Sequence, residues 1–463
     1  MLLELKGENI FKARAYYNAA RAVENLEEDL EVLIDQGRLR EVPGFGKAIS
    51  SKIIEWNKTG SIEYYDDLKN STPPGLVELL RLPGLGPKKV SQLYVALGVT
   101  NLEMLEKACQ QNWILSVPGF GLKTQEKICA GIKFIKDHRG MFLWAEAYEI
   151  GIKLYHDLLK SSAVLRVEIA GSLRRYREVV KDIDLVAAST EPQVVRDYFI
   201  KMPIVAEVKS SGLTKTSVLL STGNQVDLRV VKPEEFPHAL QHFTGSKEHN
   251  TALRHLAKKL GYKLNEYGLF KGDKGIYCQD EAEIYQYLGL SFIPPELRED
   301  LGEIERARED SLPSLVQPED LKGILHLHTN YSDGVNSLEE LIAAAIEEGY
   351  HYIGVTDHSQ TAVYARGLTR EMVFRQWEEI DRLNEKYSNF KIFKGIEADI
   401  LPNGELDYDP DFLKNFDFVI GSIHSQFRMG KEEMTKRILK AMENPALTIL
   451  GHPTGRILLE RSG

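Results

Sequence analysis

A five-residue pattern, apolar-Pro-Gly-apolar-Gly, occurs three times early in the chain and constrains the fold more than any other feature. It stands as Val42-Pro43-Gly44-Phe45-Gly46-Lys47, as Leu82-Pro83-Gly84-Leu85-Gly86-Pro87-Lys88-Lys89 and as Val117-Pro118-Gly119-Phe120-Gly121-Leu122-Lys123. The first copy is followed by apolar residues at helical spacing, Ile49, Ile53 and Ile54. The pattern predicts a hairpin between two helices. Glycine leaves the N–H groups at the second helix's N-terminus without a Cβ in the way, and such a terminus cradles phosphate. One Pro-Gly turn is an ordinary helix connection. Three, each with a lysine and a helical pattern behind it, predict modules that grip a nucleic-acid backbone without reading its sequence. Gly44, Gly46, Lys47, Gly84, Gly86, Lys88, Gly119, Gly121 and Lys123 are the candidate contacts. Residues 1–70 read as helical throughout, with Phe11, Ala15, Ala19, Ala22 and Val23 near a 3.6-residue period.

A second stretch carries chemistry. Val167 to Ala170 reads as a strand, Gly171-Ser172 as a tight turn, and Arg174, Arg175 and Arg177 follow at once. The next strand holds Asp182-Ile183-Asp184. Alternate strand residues share a face, so the two carboxylates project together while Ile183 and Leu185 turn to the core. Paired carboxylates of this kind suit Mg2+ or Mn2+, and the Gly-Ser turn with its arginines suits a triphosphate. Asn224 to Val231 alternates like a strand and adds Asp227, a third carboxylate, as in-line phosphoryl transfer with two metals requires.

A third constellation lies near the C-terminus. His326 and His328 alternate on a strand, and Asp333 sits in the following turn. His358, Glu397, His424 and His452 each stand at the end of an apolar run: Tyr352–Val355, Phe393–Ile396, Phe418–Ile423 and Leu447–Leu450. Helical patterns at Ser337–Glu348, Arg370–Tyr387 and Lys431–Met442 separate them. Strand–helix alternation with polar residues at strand C-termini predicts a β/α barrel site, and five histidines with Asp and Glu predict a multinuclear metal centre.

The net charge of −10 over 463 residues does not exclude a nucleic-acid partner, because it is unevenly spread. Residues 76–140 hold nine Lys/Arg against five Asp/Glu, whereas residues 323–463 hold fifteen against twenty-two. No apolar run is long enough for a membrane span, and the charged start is unlike a signal peptide. Cys109, Cys129 and Cys278 have no metal spacing and read as reduced thiols of a cytoplasmic protein.

Together GSLRR (171–175), DID (182–184), VDLR (226–229) and HFTGSKEHNTALR (242–254) resemble the palm and thumb of a family X DNA polymerase, the family of DNA polymerase beta. The three hairpins resemble helix-hairpin-helix motifs. The resemblance implies template-directed gap filling in base excision repair, on gapped or nicked DNA with a 5′-phosphate, using dNTPs, by a monomer. It implies that Asp182 and Asp184 bind both of two Mg2+ or Mn2+ ions, and that Asp227 binds the catalytic one and activates the primer 3′-hydroxyl. Gly171, Ser172 and Arg175 would hold the triphosphate. His242, Phe243, Thr244 and Gly245 would pack on the incoming sugar and base, Asn250 would touch the nascent pair, and Arg254 the template side. Lys52 falls where a lyase amine forms a Schiff base with an abasic sugar. The chain departs from the pattern at Ala48, where a second lysine is expected, at His242, where Tyr is frequent, and at Lys247, where an acidic residue is expected.

The C-terminal constellation resembles a PHP (polymerase and histidinol phosphatase) phosphoesterase domain, which bacterial family X polymerases carry. That implies 3′→5′ exonuclease activity on an Mn2+ or Zn2+ cluster held by His326, His328, Asp333, His358, Glu397, His424 and His452. A complete PHP domain runs roughly a hundred residues further, with a last Asp-x-His pair, whereas this sequence stops at Gly463. The expectation is therefore an open barrel with weak metal retention and impaired nuclease activity.

The expected fold is multidomain α/β and α+β. Its parts are a helical lyase-like domain over 1–75, a helical domain with two hairpins over 76–140, and a nucleotidyltransferase palm with mixed β-sheet over 141–232. A nucleotide-selecting thumb over 233–312, a linker over 313–322 and an incomplete PHP-type barrel over 323–463 complete it. Two other readings are a nuclease centred on the PHP domain and a non-catalytic gap-binding scaffold.

Overall fold

The computed structural model describes residues 1–24, 26, 30–80, 82, 84–427 and 429–459, so Pro83 of the second hairpin lies outside the described residues. In each hairpin the first glycine takes a positive φ, +95° at Gly44, +85° at Gly84 and +87° at Gly119, a conformation costly to any residue with a Cβ. The second glycine is the extended N-cap of the next helix: Gly46 before Lys47–Thr59, Gly86 before Pro87–Leu97 and Gly121 before Leu122–Asp137. None of these three helices has a side-chain cap, so their first N–H groups stay open. Between the glycines, Phe45, Leu85 and Phe120 turn inward. Phe45 joins a small core with Ala19, Leu33 and Leu39, and the other two share a larger core with Leu79, Leu93, Leu105 and Ile128.

The helix expected around Phe11 to Val23 is present, and its buried side does not follow the apolar period. In the helix Ile10–Glu24 the buried side is Ala13 and Ala19 with half-buried Tyr16 and Ala22, while Phe11, Ala15 and Val23 face solvent. Alanines let this helix approach its neighbours closely, so size counts for more than apolarity on its buried face.

The chain divides into one unit built on Met1–Leu312 and one on Pro313–Gly455. The first contains a five-stranded sheet: β1 (Arg166–Ile169), β2 (Asp182–Ala188), β3 (Val205–Ser211), β4 (Lys215–Leu220) and β5 (Gln225–Val231), in the order β1-β2-β5-β4-β3. Only β2 and β5 pair in parallel, with Ile183 beside Val226 and Asp184 beside Asp227. Ile183, Leu185, Val226 and Leu228 are buried in one core with Ala147, Leu154 and Leu158 of the helix Trp144–Leu159. The carboxylates alternate with these residues along the strands and so take the opposite face.

After β5 come the helices Phe236–Thr244 and Lys247–Lys259, the second N-capped by the Ser246 hydroxyl, which accepts from the His249 N–H at 3.1 Å. A three-stranded sheet, β6 (Lys263–Asn265), β7 (Gly268–Lys271) and β8 (Lys274–Ile276), follows. The polar stretch after Pro295 is folded here: Ile304 and Ala307 enter the core around Leu253 and Tyr285.

In the second unit β9 (Gly323–Leu327), β10 (Tyr352–Val355), β11 (Lys391–Asp399), β12 (Phe418–Ser422) and β13 (Ile449–Leu450) form a parallel sheet in chain order. Helices Leu338–Glu347, Arg370–Lys386 and Lys431–Met442 make connections between them. Sequential parallel order places every strand's C-terminal end on one edge. Among the described residues no helix is long and apolar enough to cross a membrane.

Candidate active sites

In the first unit, Gly171-Ser172 opens a single helical turn, Gly171–Arg174, rather than a plain bend. Gly171 has φ +62°, and a Cβ there would overlap the Asp184 carboxylate. The glycine thus lets the turn lie directly on the acidic strand. A cavity of about 470 Å³ above it is lined by Gly171, Ser172, Arg175, Asp182, Asp184, His242, Phe243, Thr244, Gly245, Ser246, Lys247, Asn250 and Arg254. Every residue singled out for the nucleotide therefore faces one space.

The electrostatics are those of three carboxylates held close together. Burial, then the neighbouring charges of Asp182 and Asp227, push the Asp184 carboxyl up to about 7. Burial also works against ionising Asp227, but the Lys215 ammonium 2.6 Å away holds that carboxyl below its usual range. Three carboxylates on two adjacent strands, two of them in register, offer the hard oxygen set that Mg2+ or Mn2+ takes. The donor chemistry and the raised Asp184 pKa fit a divalent cation on this face.

Three groups were invisible in the sequence. Glu299 accepts from Arg175 Nε at 2.8 Å, so the guanidinium expected to take phosphate is here met by a carboxylate, and it also donates to the Thr244 carbonyl. Glu281 accepts from Arg174 at 3.0 and 2.6 Å and from the buried Arg298 at 2.6 Å. Lys215 is the third. Arg175 and Arg174 lie more than a hundred residues from their carboxylates, and Lys215 meets Asp227 only through the pairing of β4 with β5, so no local pattern marks these groups. Asn250 is also more engaged than expected: its side chain accepts from Gln241 at 2.8 Å and donates to the His242 carbonyl at 2.7 Å. Arg254 donates back to the Asn250 carbonyl at 3.1 Å. Burial, the largest influence, pushes His242 below its usual pKa.

Lys52 lies in the first turns of the helix Lys47–Thr59 and lines a cavity of about 740 Å³ with Tyr16, Tyr64, Tyr65 and Lys69. Its ammonium stands 4.9 Å over the Tyr64 ring, and that of Lys12 stands 5.1 Å over the same ring. A second cation beside Lys52 thus comes from a different helix, not from position 48.

In the second unit Glu397 of β11 is the hub. Its carboxylate lies 3.3 Å from His326, 3.5 Å from His328, 3.0 Å from His358, 3.3 Å from His424 and 2.9 Å from His452. Asp333 lies 3.5 Å from His328 and 3.6 Å from His358. Burial alone would raise the Glu397 pKa, yet hydrogen bonds from His326, His424 and His452 hold it far below the carboxylate range. Burial opposes a charge on His424, but hydrogen bonds to Asp399 and Glu397 push it up to about 9. The buried Nδ1 atoms of His328 and His358 face carboxylate oxygens, of Asp333 at 3.5 Å and of Glu397 at 3.0 Å, without the geometry of a hydrogen bond. Ring nitrogens and carboxylate oxygens converge in three overlapping groups, His326/His328/Glu397, His328/Asp333/His358 and His358/Glu397/His424. Imidazole nitrogens that face carboxylates without donating to them, within such groups, fit a cluster of metal ions. Sequence reading missed Asp399, which accepts from His424 Nδ1 at 2.6 Å and fixes that ring's orientation. It also gave no role to buried Asp357, which accepts from Thr329 and Gln376 and so ties the loop after β9 to its neighbours.

An acidic strand face under a Gly-Ser-Arg cavity, and a histidine–carboxylate cluster at parallel strand ends, are the two candidate centres of the chain. Comparison with known proteins gives the family. Models of a helix-hairpin-helix domain match residues 1–62, of a SAM-like helix-hairpin-helix tandem 76–133, of the DNA polymerase beta thumb 239–299 and of the PHP domain 325–459. The chain is 41% identical to DNA polymerase/3′-5′ exonuclease PolX of Bacillus subtilis, over all of this chain and 81% of that protein. It is 30% identical to a repair DNA polymerase X of African swine fever virus over 36% of this chain and 96% of that protein. It is 22% identical to DNA polymerase lambda of Arabidopsis thaliana over 61% of this chain and 57% of that protein. The chain belongs to the family X DNA polymerases that carry a PHP domain, and it is a DNA-directed DNA polymerase.

Proposed function

We propose that this polymerase fills short gaps in DNA, the synthesis step of base excision repair. The observation that carries the reading is the register of Asp227 with Asp184 on adjacent parallel strands, Asp184 and Asp182 lining the cavity at Gly171-Ser172. Asp182, Asp184 and Asp227 would hold two Mg2+ or Mn2+ ions. Such ions, when bound, supply the Lewis acidity that favours an ionised primer 3′-hydroxyl and spreads charge from the phosphates. The protein's groups do the positioning. Asp227 orients the primer terminus. The open N–H groups at Gly171-Ser172, the Ser172 hydroxyl and Arg175 hold the triphosphate, with Arg175 exchanging Glu299 for phosphate. His242 to Gly245 pack on sugar and base, Asn250 meets the nascent pair and Arg254 the template strand.

The hairpin glycines with Lys47, Lys88 and Lys123 grip the backbone on either side of the gap, the first hairpin on the side of the 5′-phosphate. The domain limits set out from the sequence are proposed to delimit these tasks, in a monomer acting in the cytoplasm. The histidine cluster is assigned 3′→5′ removal of nucleotides, with Mn2+ or Zn2+ as the ions the seven residues would hold. Lys52 as a 5′-deoxyribose phosphate lyase rests on its place in the aromatic, basic cavity.

The test is a labelled primer on a one-nucleotide gap bearing a 5′-phosphate, in Mg2+ and in Mn2+, with and without dNTPs. Single-nucleotide extension that is lost in Asp227→Asn and kept in His326→Ala supports the polymerase centre as assigned. Shortening without dNTPs that is lost in His326→Ala supports the nuclease. Tight gap binding with neither reaction overturns both assignments and leaves a scaffold.

A further inference from the structure

The loop that follows His358 is built in an unusual way. Ala362, Ala365 and Leu368 are fully buried, yet Val363 is 82% and Tyr364 64% exposed between them. The loop is rigidly held. Ser359 Oγ donates to Asp407 at 2.7 Å, the Thr361 N–H donates to Asp407 at 3.0 Å, and Thr361 Oγ1 donates to Asp399 at 2.8 Å. Asp399 is also the carboxylate that orients His424, so one side chain fixes the loop and a histidine of the cluster together. The Tyr364 ring lies 5.9 Å from the His358 ring and 6.2 Å from the His424 ring, edge-on to both. Among the described residues its hydroxyl has no hydrogen-bond partner. An aromatic side chain fixed at the rim of a charged cluster, yet left largely in water, has a free face for a flat ligand.

We propose that Tyr364 is a substrate-positioning residue of the second site, whose ring stacks on the base of the 3′-terminal nucleotide and so places the adjoining phosphodiester at the histidine cluster. This rests on the reading of that cluster as a 3′→5′ nuclease. Stacking suits a site that must accept any base, because every base offers a π-face. The ligand is thus a frayed or single-stranded DNA end rather than a free phosphate ester, which has no base for the ring to grip.

The test compares, in the full-length protein, a single strand ending in thymidine with one ending in a tetrahydrofuran abasic nucleotide. Both present the same phosphodiester. Wild type is expected to prefer the base-bearing end in kcat/KM by about tenfold, on the scale of base–aromatic stacking, and Tyr364→Ala to bring that ratio close to one. Tyr364→Phe should keep the preference, since the ring and not the hydroxyl acts. Binding is read separately in the His326→Ala background, from quenching of a 3′-terminal 2-aminopurine in a short single strand. The quench should shrink when Tyr364→Ala is added. An unchanged ratio and unchanged quench would overturn the proposal, as would a Phe variant as impaired as the Ala variant. If wild type cleaves neither strand, the nuclease reading fails, and the quench alone decides whether Tyr364 stacks on a DNA end.

Discussion

Replacing Gly171 by alanine isolates the contact on which the proposed polymerase centre is built. Two penalties follow, and they are separable. The first is conformational. At φ +62° an alanine costs about 1–2 kcal/mol relative to an unstrained position. The second is local. The new methyl would occupy the space of the Asp184 carboxylate, so either the Gly171–Arg174 turn or the strand side chain must move by on the order of an ångström. Misplacement of that size costs roughly 100-fold in rate, equivalent to about 2.7 kcal/mol of barrier. Gly223 provides the control. It lies in the turn between β4 and β5 at φ +88°, and a Cβ there meets nothing within 4 Å. Gly223→Ala should therefore lose similar stability in urea and keep its rate. Single-turnover incorporation into a one-nucleotide gap should fall about 100-fold in Gly171→Ala alone. Incorporation by Gly171→Ala within threefold of wild type, or an equal loss of rate in Gly223→Ala, would refute the claim that the turn's approach to Asp184 sets the active geometry.

Two further outcomes are expected. Glu281→Gln leaves Arg174 and the buried Arg298 without their shared charge, and should lower stability against urea by about 3 kcal/mol. Burial raises the Glu281 pKa, but Arg298 and Arg174 outweigh it and hold it low. The stability this carboxylate contributes is therefore present above its unfolded pKa and lost as pH falls through the lower folded value, and the Gln variant should lack that acid-side loss. His238 is fully buried with no hydrogen bond to either ring nitrogen, and burial pushes its pKa down to about 4. A depressed histidine stays neutral in the fold but takes up a proton when unfolded. Stability should thus drop by up to roughly 3 kcal/mol as pH falls from about 6.5 to about 4. His238→Leu should flatten that part of the profile in urea melts, and an unchanged slope would count against it.

The sequence by itself determined much of this protein. The hairpins were legible because proline and paired glycines act within a few residues, through restrictions on φ and ψ. The alternation of Asp182, Ile183 and Asp184 told which face each side chain takes, since a strand's period is local too. The histidines stood out as candidate ligands because three ended apolar runs and two alternated on one strand. What the tertiary structure decided lies between segments distant in the chain. The pairing of Asp184 with Asp227 depends on β2 and β5 lying side by side in parallel, and no local signal sets that register. Lys215 against Asp227, Glu299 against Arg175 and Glu281 between two arginines arise the same way. Glu397 became the hub of five histidines only when sequential parallel strands brought their ends to one edge. Backbone preference and side-chain period are properties of neighbours in sequence. Charge pairing and ligand convergence are properties of neighbours in space, which burial of the intervening core alone brings together.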